Sequence, residues 1–164
     1  MKGLLILILL GVGGYFGYKH YQERVEGAAP EVITDPVYAQ MRMDAKIQGR
    51  EFNFLLLGKM AGDEDCRLRS NQAWSDVING CAECTKQAAT CTATLEPRYQ
   101  RLFDNVAIHS TYMSFEREAP RERDGRMVIY GLTADEGDFI CEQLRAKFQN
   151  HYTGKVECVH ARRD

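Results

Sequence analysis

The chain has 164 residues and a formal net charge of −2, with 21 Lys and Arg against 23 Asp and Glu. This length has room for one ordinary domain and an appendage, which argues against several independent folding units. The balanced charge lacks the basic excess of nucleic-acid-binding proteins, so we expect no nucleic-acid partner. Hydrophobic residues make up 45% of the chain, enough for a core, and the chain is therefore predicted to fold.

The first segment of the chain is apolar and uncharged. Residues 3–18 read GLLILILLGVGGYFGY, with lysines on both sides. In a helix they would cover roughly 24 Å, just short of the ~30 Å hydrocarbon core of a bilayer, and the aromatic residues at their end can extend the anchored stretch into the headgroups. We predict an uncleaved signal anchor over residues 1–21, a single transmembrane helix that contacts lipid through residues 3–18. A removed signal peptide is the alternative, but the small residues at 27–29 lie well past the apolar run.

Six cysteines follow this segment and none lies within it. They are Cys66, Cys81, Cys84, Cys91, Cys141 and Cys158. In a reducing cytosol six unpaired thiols would be a liability, whereas an oxidising compartment makes them three bridges. We therefore predict that all six are disulfide-bonded and that the domain lies outside the cytoplasm, with the periplasmic side of a bacterial inner membrane as the expected location.

Helix geometry limits the pairing of the first four cysteines. Cys66 lies near the start of a predicted helix and Cys81 just past its end, which puts them roughly 22 Å apart, and a disulfide needs Cα atoms within about 7 Å. Cys66 must then pair with Cys84 or with Cys91, and Cys81 takes whichever of them remains.

The C-x-x-C formed by Cys81 and Cys84 admits two chemical alternatives. A membrane-tethered thiol-disulfide oxidoreductase would use this pair, but a reactive cysteine is expected at a helix N-terminus, and Cys81 follows a helix C-terminus. A zinc-stabilised domain could add Cys66 and Cys91, but the second C-x-x-C of such sites is absent. We therefore expect structural disulfides, with no metal and no cofactor.

The first half of the domain follows a spacer. Residues 22–36 mix charges with two prolines and predict a spacer between membrane and domain. Apolar and polar residues alternate over 37–47, which predicts a strand with one solvated face, and 51–58 predicts a central strand paired with it. Acidic residues open a helix predicted over 63–79. A cysteine-rich crossover follows, and then a short helix over 96–105 that starts at Glu-Pro.

The second half repeats strands and a helix. Strands are predicted at 108–116 and 126–132, joined by a loop rich in Arg and Glu that we expect to be solvated. Residues 133–136 read TADE, the pattern of a capping box, and open a helix that turns Cys141 inward. The strand after this helix carries Cys158, so we predict that Cys141 and Cys158 pair with each other.

The order of these elements indicates the fold class. Without the first strand it is βαββαβ, two split βαβ units in which two helices cover one face of an antiparallel sheet. We predict an α+β, ferredoxin-like domain with an extra N-terminal strand over residues 37–164. The two halves echo each other, since Leu57-Gly58 leads into GDEDC and Tyr130-Gly131 leads into ADEGDFIC. This echo resembles the internal duplication of membrane-tethered ferredoxin-like modules, including the SPOR peptidoglycan-binding domains, and the resemblance implies a fold but no site residues.

No motif points to catalysis. The sequence lacks G-x-S-x-G, H-E-x-x-H, a P-loop and G-x-G-x-x-G, and its four histidines are scattered. His109 stands beside Ser110, but a surface strand residue is the simpler interpretation. We assign no catalytic residue and predict a non-enzymatic, single-pass membrane-anchored binding or scaffold module of the cell envelope. Its expected partner is an envelope protein or peptidoglycan, bound through the exposed sheet face or the crossover loop.

Overall fold

The computed structural model describes residues 32–47, 49–80 and 84–163, which form a mixed α+β fold. Its elements are β1 (Val37–Ile47), β2 (Arg50–Met60), α1 (Asp63–Gly80), β3 (Cys84–Thr92), α2 (Pro97–Phe103), β4 (Tyr112–Glu116), β5 (Gly125–Tyr130), α3 (Ala134–Gln149) and β6 (Lys155–Val159). The predicted signal anchor lies outside the described residues. Within them, no helix is both long and apolar enough to cross a bilayer.

The described strands form one six-stranded antiparallel sheet in the order β3-β1-β2-β5-β4-β6. The α+β prediction is confirmed, and both split βαβ units are present, because β2 and β4 flank β5 while β5 and β6 flank β4. The ferredoxin-like arrangement is not confirmed. The extra strand β1 occupies the free edge of β2, and β6 joins the sheet at the opposite edge, beside β4.

The segment predicted as an irregular crossover contains an edge strand, β3. It pairs with β1, and the register shifts between Arg42 and Met43. Such a bulge inserts an extra residue and interrupts the alternation of apolar and polar side chains. This interruption explains why the sequence CTKQAATCT shows no strand period.

The two long helices, α1 and α3, lie on the same face of the sheet, as predicted, and a disulfide ties each of them to an edge strand. Cys66 of α1 is bonded to Cys91 of β3, with Cα atoms 6.1 Å apart. Cys141 of α3 is bonded to Cys158 of β6, with Cα atoms 5.9 Å apart. These two bridges support the predicted disulfide bonds. Of the two partners left open for Cys66, which were Cys84 and Cys91, the structure has Cys91.

The short helix α2 packs on the opposite face and covers the largest core cluster. Tyr99 and Leu102 of α2 are buried there with Leu55 of β2 and Val128 of β5. The expectation that the polar face of β1 is solvated is therefore wrong for part of the strand, because Tyr38 packs against this cluster. The helix begins with Pro97 at its first turn, where the missing N–H of proline costs nothing.

A buried arginine fastens α2 to the sheet. Arg126 is 4% exposed. Its Nε donates to the carbonyl of Leu102 (2.7 Å) and its Nη2 to that of Phe103 (3.0 Å), at the end of α2. Its Nη1 donates to the carbonyls of Phe115 and Gly125 at 3.1 and 2.7 Å. The last carbonyls of a helix lack helical partners and attract cations, so Arg126 caps α2 from the sheet below.

The charged loop between β4 and β5 packs against neighbouring elements. The prediction that this loop is solvated is therefore wrong for part of it. The Glu122 carboxylate accepts from the backbone N–H of Glu118 (3.0 Å) and of Gly154 (3.2 Å). Arg123 forms an ion pair with Asp65 of α1 at 2.7 Å. The charges are partly buried because they satisfy backbone groups and join the loop to neighbouring elements.

Candidate functional site

An open cleft of about 530 Å³ lies where α2 ceases to cover its face of the sheet. Its polar lining residues are Arg42 and Asp44 of β1, Asn53 of β2, Arg98 and Tyr99 of α2, and Tyr130 of β5. We call this group the Arg–Tyr cleft. Leu55, which is 2% exposed, lies beneath it in the core.

Strand register places three of these residues in one row across the sheet. Asp44 lies opposite Asn53, and Asn53 lies opposite Tyr130. Facing residues of antiparallel strands have Cβ atoms about 4.5–5.5 Å apart on the same face, so a carboxylate, an amide and a phenol stand side by side. Asn53 Nδ2 donates to Asp44 Oδ1 at 2.6 Å.

The helix α2 brings an aromatic ring into contact with two cations. Tyr99 is 5% exposed, and its hydroxyl accepts a hydrogen bond from Nη2 of Arg42. The guanidinium carbons of Arg42 and Arg98 lie 5.6 and 4.6 Å from the centre of the Tyr99 ring. Both distances are within the range of a cation–π contact, which helps to hold the two arginines at the cleft.

The two arginines differ in their acidic partners. Arg98 Nε forms an exposed ion pair with Glu96 at 2.7 Å. Arg42 has no carboxylate within ion-pair distance among the described residues, and its Nε lies 3.1 Å from the side-chain oxygen of Gln40 in the amide orientation that satisfies both groups. A guanidinium has five N–H donors, so Arg42 retains donors for the oxygens of a ligand.

Tyr130 adds a neutral donor. Burial raises the pKa of its phenol above the ordinary value, and the neighbouring Tyr99 raises the pKa further. The hydroxyl therefore stays protonated at neutral pH. It makes no hydrogen bond to another residue of the described part of the chain, so it is available to a ligand.

The cysteines of the two described bridges lie away from the cleft. The bridges Cys66–Cys91 and Cys141–Cys158 are on the opposite face of the sheet, under α1 and α3. Because Cys66 and Cys91 are bonded to each other, two sulfurs of the zinc alternative are already in use. The part of the chain that the structure describes holds no cluster of three or more His, Cys, Asp or Glu suited to a metal ion.

The C-x-x-C is only partly within the described residues. Cys84 begins β3 and is disulfide-bonded. Cys81 lies outside the described residues. With Cys91 bonded to Cys66, the sequence argument leaves Cys84 as the partner of Cys81, and this pairing stays a prediction.

A second polar cluster joins the C-terminal tail to α3. Asp138 Oδ1 accepts from Thr111 Oγ1 at 2.5 Å and lies 2.9 Å from His160 Nδ1. Arg163 Nη2 donates to the other carboxylate oxygen at 2.8 Å. The hydrogen bond from Thr111 and the His160 contact lower the pKa of Asp138 to about 2. The carboxylate is thus used to hold the tail, which makes this cluster a structural one.

Comparison with protein-family models, with curated proteins and with solved structures finds no match to this chain. A function is therefore inferred from the cleft, the disulfides and the apolar leader. Sequence reasoning missed the cleft because its residues come from four separate elements. The one signal available was the alternation of β1, which places Arg42 and Asp44 on the polar side of that strand.

Proposed function

We propose that the protein is a single-pass, membrane-anchored, non-enzymatic binding module of the cell envelope. Its folded domain lies outside the cytoplasm and binds its partner through the Arg–Tyr cleft. The uncharged segment 3–18 and the spacer 22–36 support the anchored part of this proposal. The two disulfides support an oxidising compartment, since such bonds are rare where thiols are kept reduced.

The observation that carries the binding part is the state of Arg42. Its guanidinium is half-buried against Tyr99, yet it has no acidic partner among the described residues. Other partly buried arginines of this chain do have one, such as Arg123 with Asp65 at 2.7 Å. A held, partly desolvated cation with spare donors is suited to a ligand oxygen, because charge-assisted hydrogen bonds are the strong ones.

The other groups of the cleft favour holding a ligand over transforming it. The guanidinium, amide and phenol groups donate hydrogen bonds at neutral pH. The lining residues include no imidazole and no thiol, the groups most often used as base and nucleophile. Asp44, the one carboxylate in the lining, accepts a hydrogen bond from Asn53 at one oxygen and keeps the other as an acceptor for a ligand.

Binding to envelope fragments tests the proposal. The full, oxidised chain in detergent micelles is mixed with washed envelope fragments from its native cells, and the bound fraction is measured by sedimentation. We compare the wild type with Arg42→Gln and, as the matched control, with Arg145→Gln. Arg145 is on α3, on the opposite face of the sheet, and its ion-pair partner in the described part of the chain is Glu142 at 2.8 Å.

The wild type should bind saturably, and Arg145→Gln should match it. Arg42→Gln should weaken binding about tenfold or more, because one charge-assisted hydrogen bond is worth about 1.5–3 kcal/mol. Absence of saturable binding, or equal effects of the two substitutions, would contradict the proposal.

A further inference from the structure

We infer that the ligand of the Arg–Tyr cleft is a saccharide that carries a carboxylate group. The inference rests on the proposed function and adds to it the chemical class of the ligand. It combines an anion subsite at the two arginines with a row of groups that match sugar hydroxyls.

The anion subsite is set by charge. Arg42 and Arg98 both contact the Tyr99 ring. Glu96 pairs with Arg98 at 2.7 Å, so Arg42 is the cation of the lining that has no carboxylate partner among the described residues. One guanidinium without a carboxylate partner suits a singly charged group such as a carboxylate. A carboxylate can accept two parallel hydrogen bonds from a guanidinium, whereas Asp44 would oppose a phosphate with its second charge.

The hydroxyl subsite is set by strand register. Asp44 accepts hydrogen bonds, Asn53 both accepts and donates, and Tyr130 donates with a protonated phenol. These three groups stand in a row on adjacent strands. Hydroxyl and amide substituents spaced around a sugar ring both donate and accept, so they can satisfy such a row.

An acidic peptide fits the same surface less well. Its carboxylates would approach Asp44 as well as the arginines, and its backbone offers few hydroxyl groups for the row of Asn53 and Tyr130. The cleft also has apolar surface, from the half-buried Tyr130 ring, for the C–H face of a sugar. Its volume of about 530 Å³ lies in the range of small-molecule sites, roughly 300–1,000 Å³.

Calorimetric titration with matched probes tests the inference on the full, oxidised chain in detergent micelles. The first probe is a tetrasaccharide of alternating N-acetylglucosamine and N-acetylmuramic acid. The second is chitotetraose, which has the same sugar backbone without the lactyl carboxylates. The third is tetraglutamate, which has carboxylates without sugar. The acidic tetrasaccharide should bind at least tenfold more tightly than either of the others.

Substitutions then locate the binding. Arg42→Gln should weaken binding of the acidic tetrasaccharide at least tenfold, and Arg42→Lys should restore part of the affinity. Tyr130→Phe removes one oxygen and should weaken binding severalfold. Arg145→Gln, outside the cleft, should leave the affinity unchanged.

The alternative outcomes overturn separate claims. Equal affinity for the two tetrasaccharides would overturn the carboxylate requirement, and tighter binding of tetraglutamate would point to an acidic peptide instead. If no probe binds but envelope fragments still bind in a manner that depends on Arg42, the ligand class is wrong and the proposed function stands. If the fragments also fail to bind, both fail.

Discussion

Replacing Arg126 with methionine should loosen α2 from the sheet. Two of its hydrogen bonds, to Leu102 (2.7 Å) and Phe103 (3.0 Å), cross from β5 to the end of α2. At about 1.5–3 kcal/mol for each bond to a charged group, their loss costs about 3–6 kcal/mol. Part of this free energy is regained, because the variant no longer has to desolvate a buried cation. The same desolvation lowers the pKa of Arg126 in the wild type. We expect a net loss of about 3 kcal/mol in the free energy of unfolding.

Urea unfolding of the oxidised chain, followed by circular dichroism, measures this loss. Arg126→Lys is the graded variant, because an ammonium keeps the charge but cannot reproduce the planar set of donors, and it should lose less. Arg145→Met is the matched control on an exposed helix surface, and it should change stability by less than about 0.5 kcal/mol. A loss below about 1 kcal/mol for Arg126→Met would refute the claim that Arg126 holds α2 on the sheet.

Three further predictions concern the packing of α3. The double substitution Cys141→Ser and Cys158→Ser opens a bridge with a sequence separation of 17 and should cost about 3 kcal/mol in urea unfolding; an unchanged midpoint would contradict this. Thr133→Ala removes the side chain of a capping box and should cost about 1 kcal/mol in the same assay, with serine at this position as the neutral control. Asp138 has a pKa lowered to about 2 by its hydrogen bond from Thr111, so its contribution to stability is present above pH 4 and is lost as the pH falls toward 2. Asp138→Asn should therefore make the decline in stability over that range shallower, and an unchanged slope would refute the role of this carboxylate.

Local patterns predicted much of the fold because they act over a few residues. The alternation over 37–47 corresponds to β1, and the capping box at Thr133 opens α3 with both of its reciprocal hydrogen bonds. Both features depend on interactions between residues close in sequence, so the folded chain contains them as predicted.

Strand order and buried charge could not be predicted, because they depend on distant neighbours. The bulge in β3 removed the strand period from that strand, and the position of β6 depends on the edge that β1 already occupies. In sequence Arg126 resembles the charged residues of the loop that precedes β5, and its burial follows from the end of α2, about 23 residues earlier in the chain.

Some residues of the cleft follow from a local sequence pattern, and the others are brought there by tertiary structure. The strand period of β1 places Arg42 and Asp44 on one polar face. Asn53 and Tyr130 join them through two strand registers, and Tyr99 joins them only when α2 docks. Side chains of four elements thus meet through tertiary structure, for which no local pattern exists.

Thiol trapping tests the central claim, that an oxidised domain is displayed outside the cytoplasm, most directly. Native cells are quenched in acid, and the protein is treated with a maleimide before and after reduction and then mapped by mass spectrometry. None of the six cysteines should be modified before reduction, and all six should be modified after it. Modification of Cys66 and Cys91 before reduction would contradict the claim, because these thiols would then be free in the compartment where the protein resides.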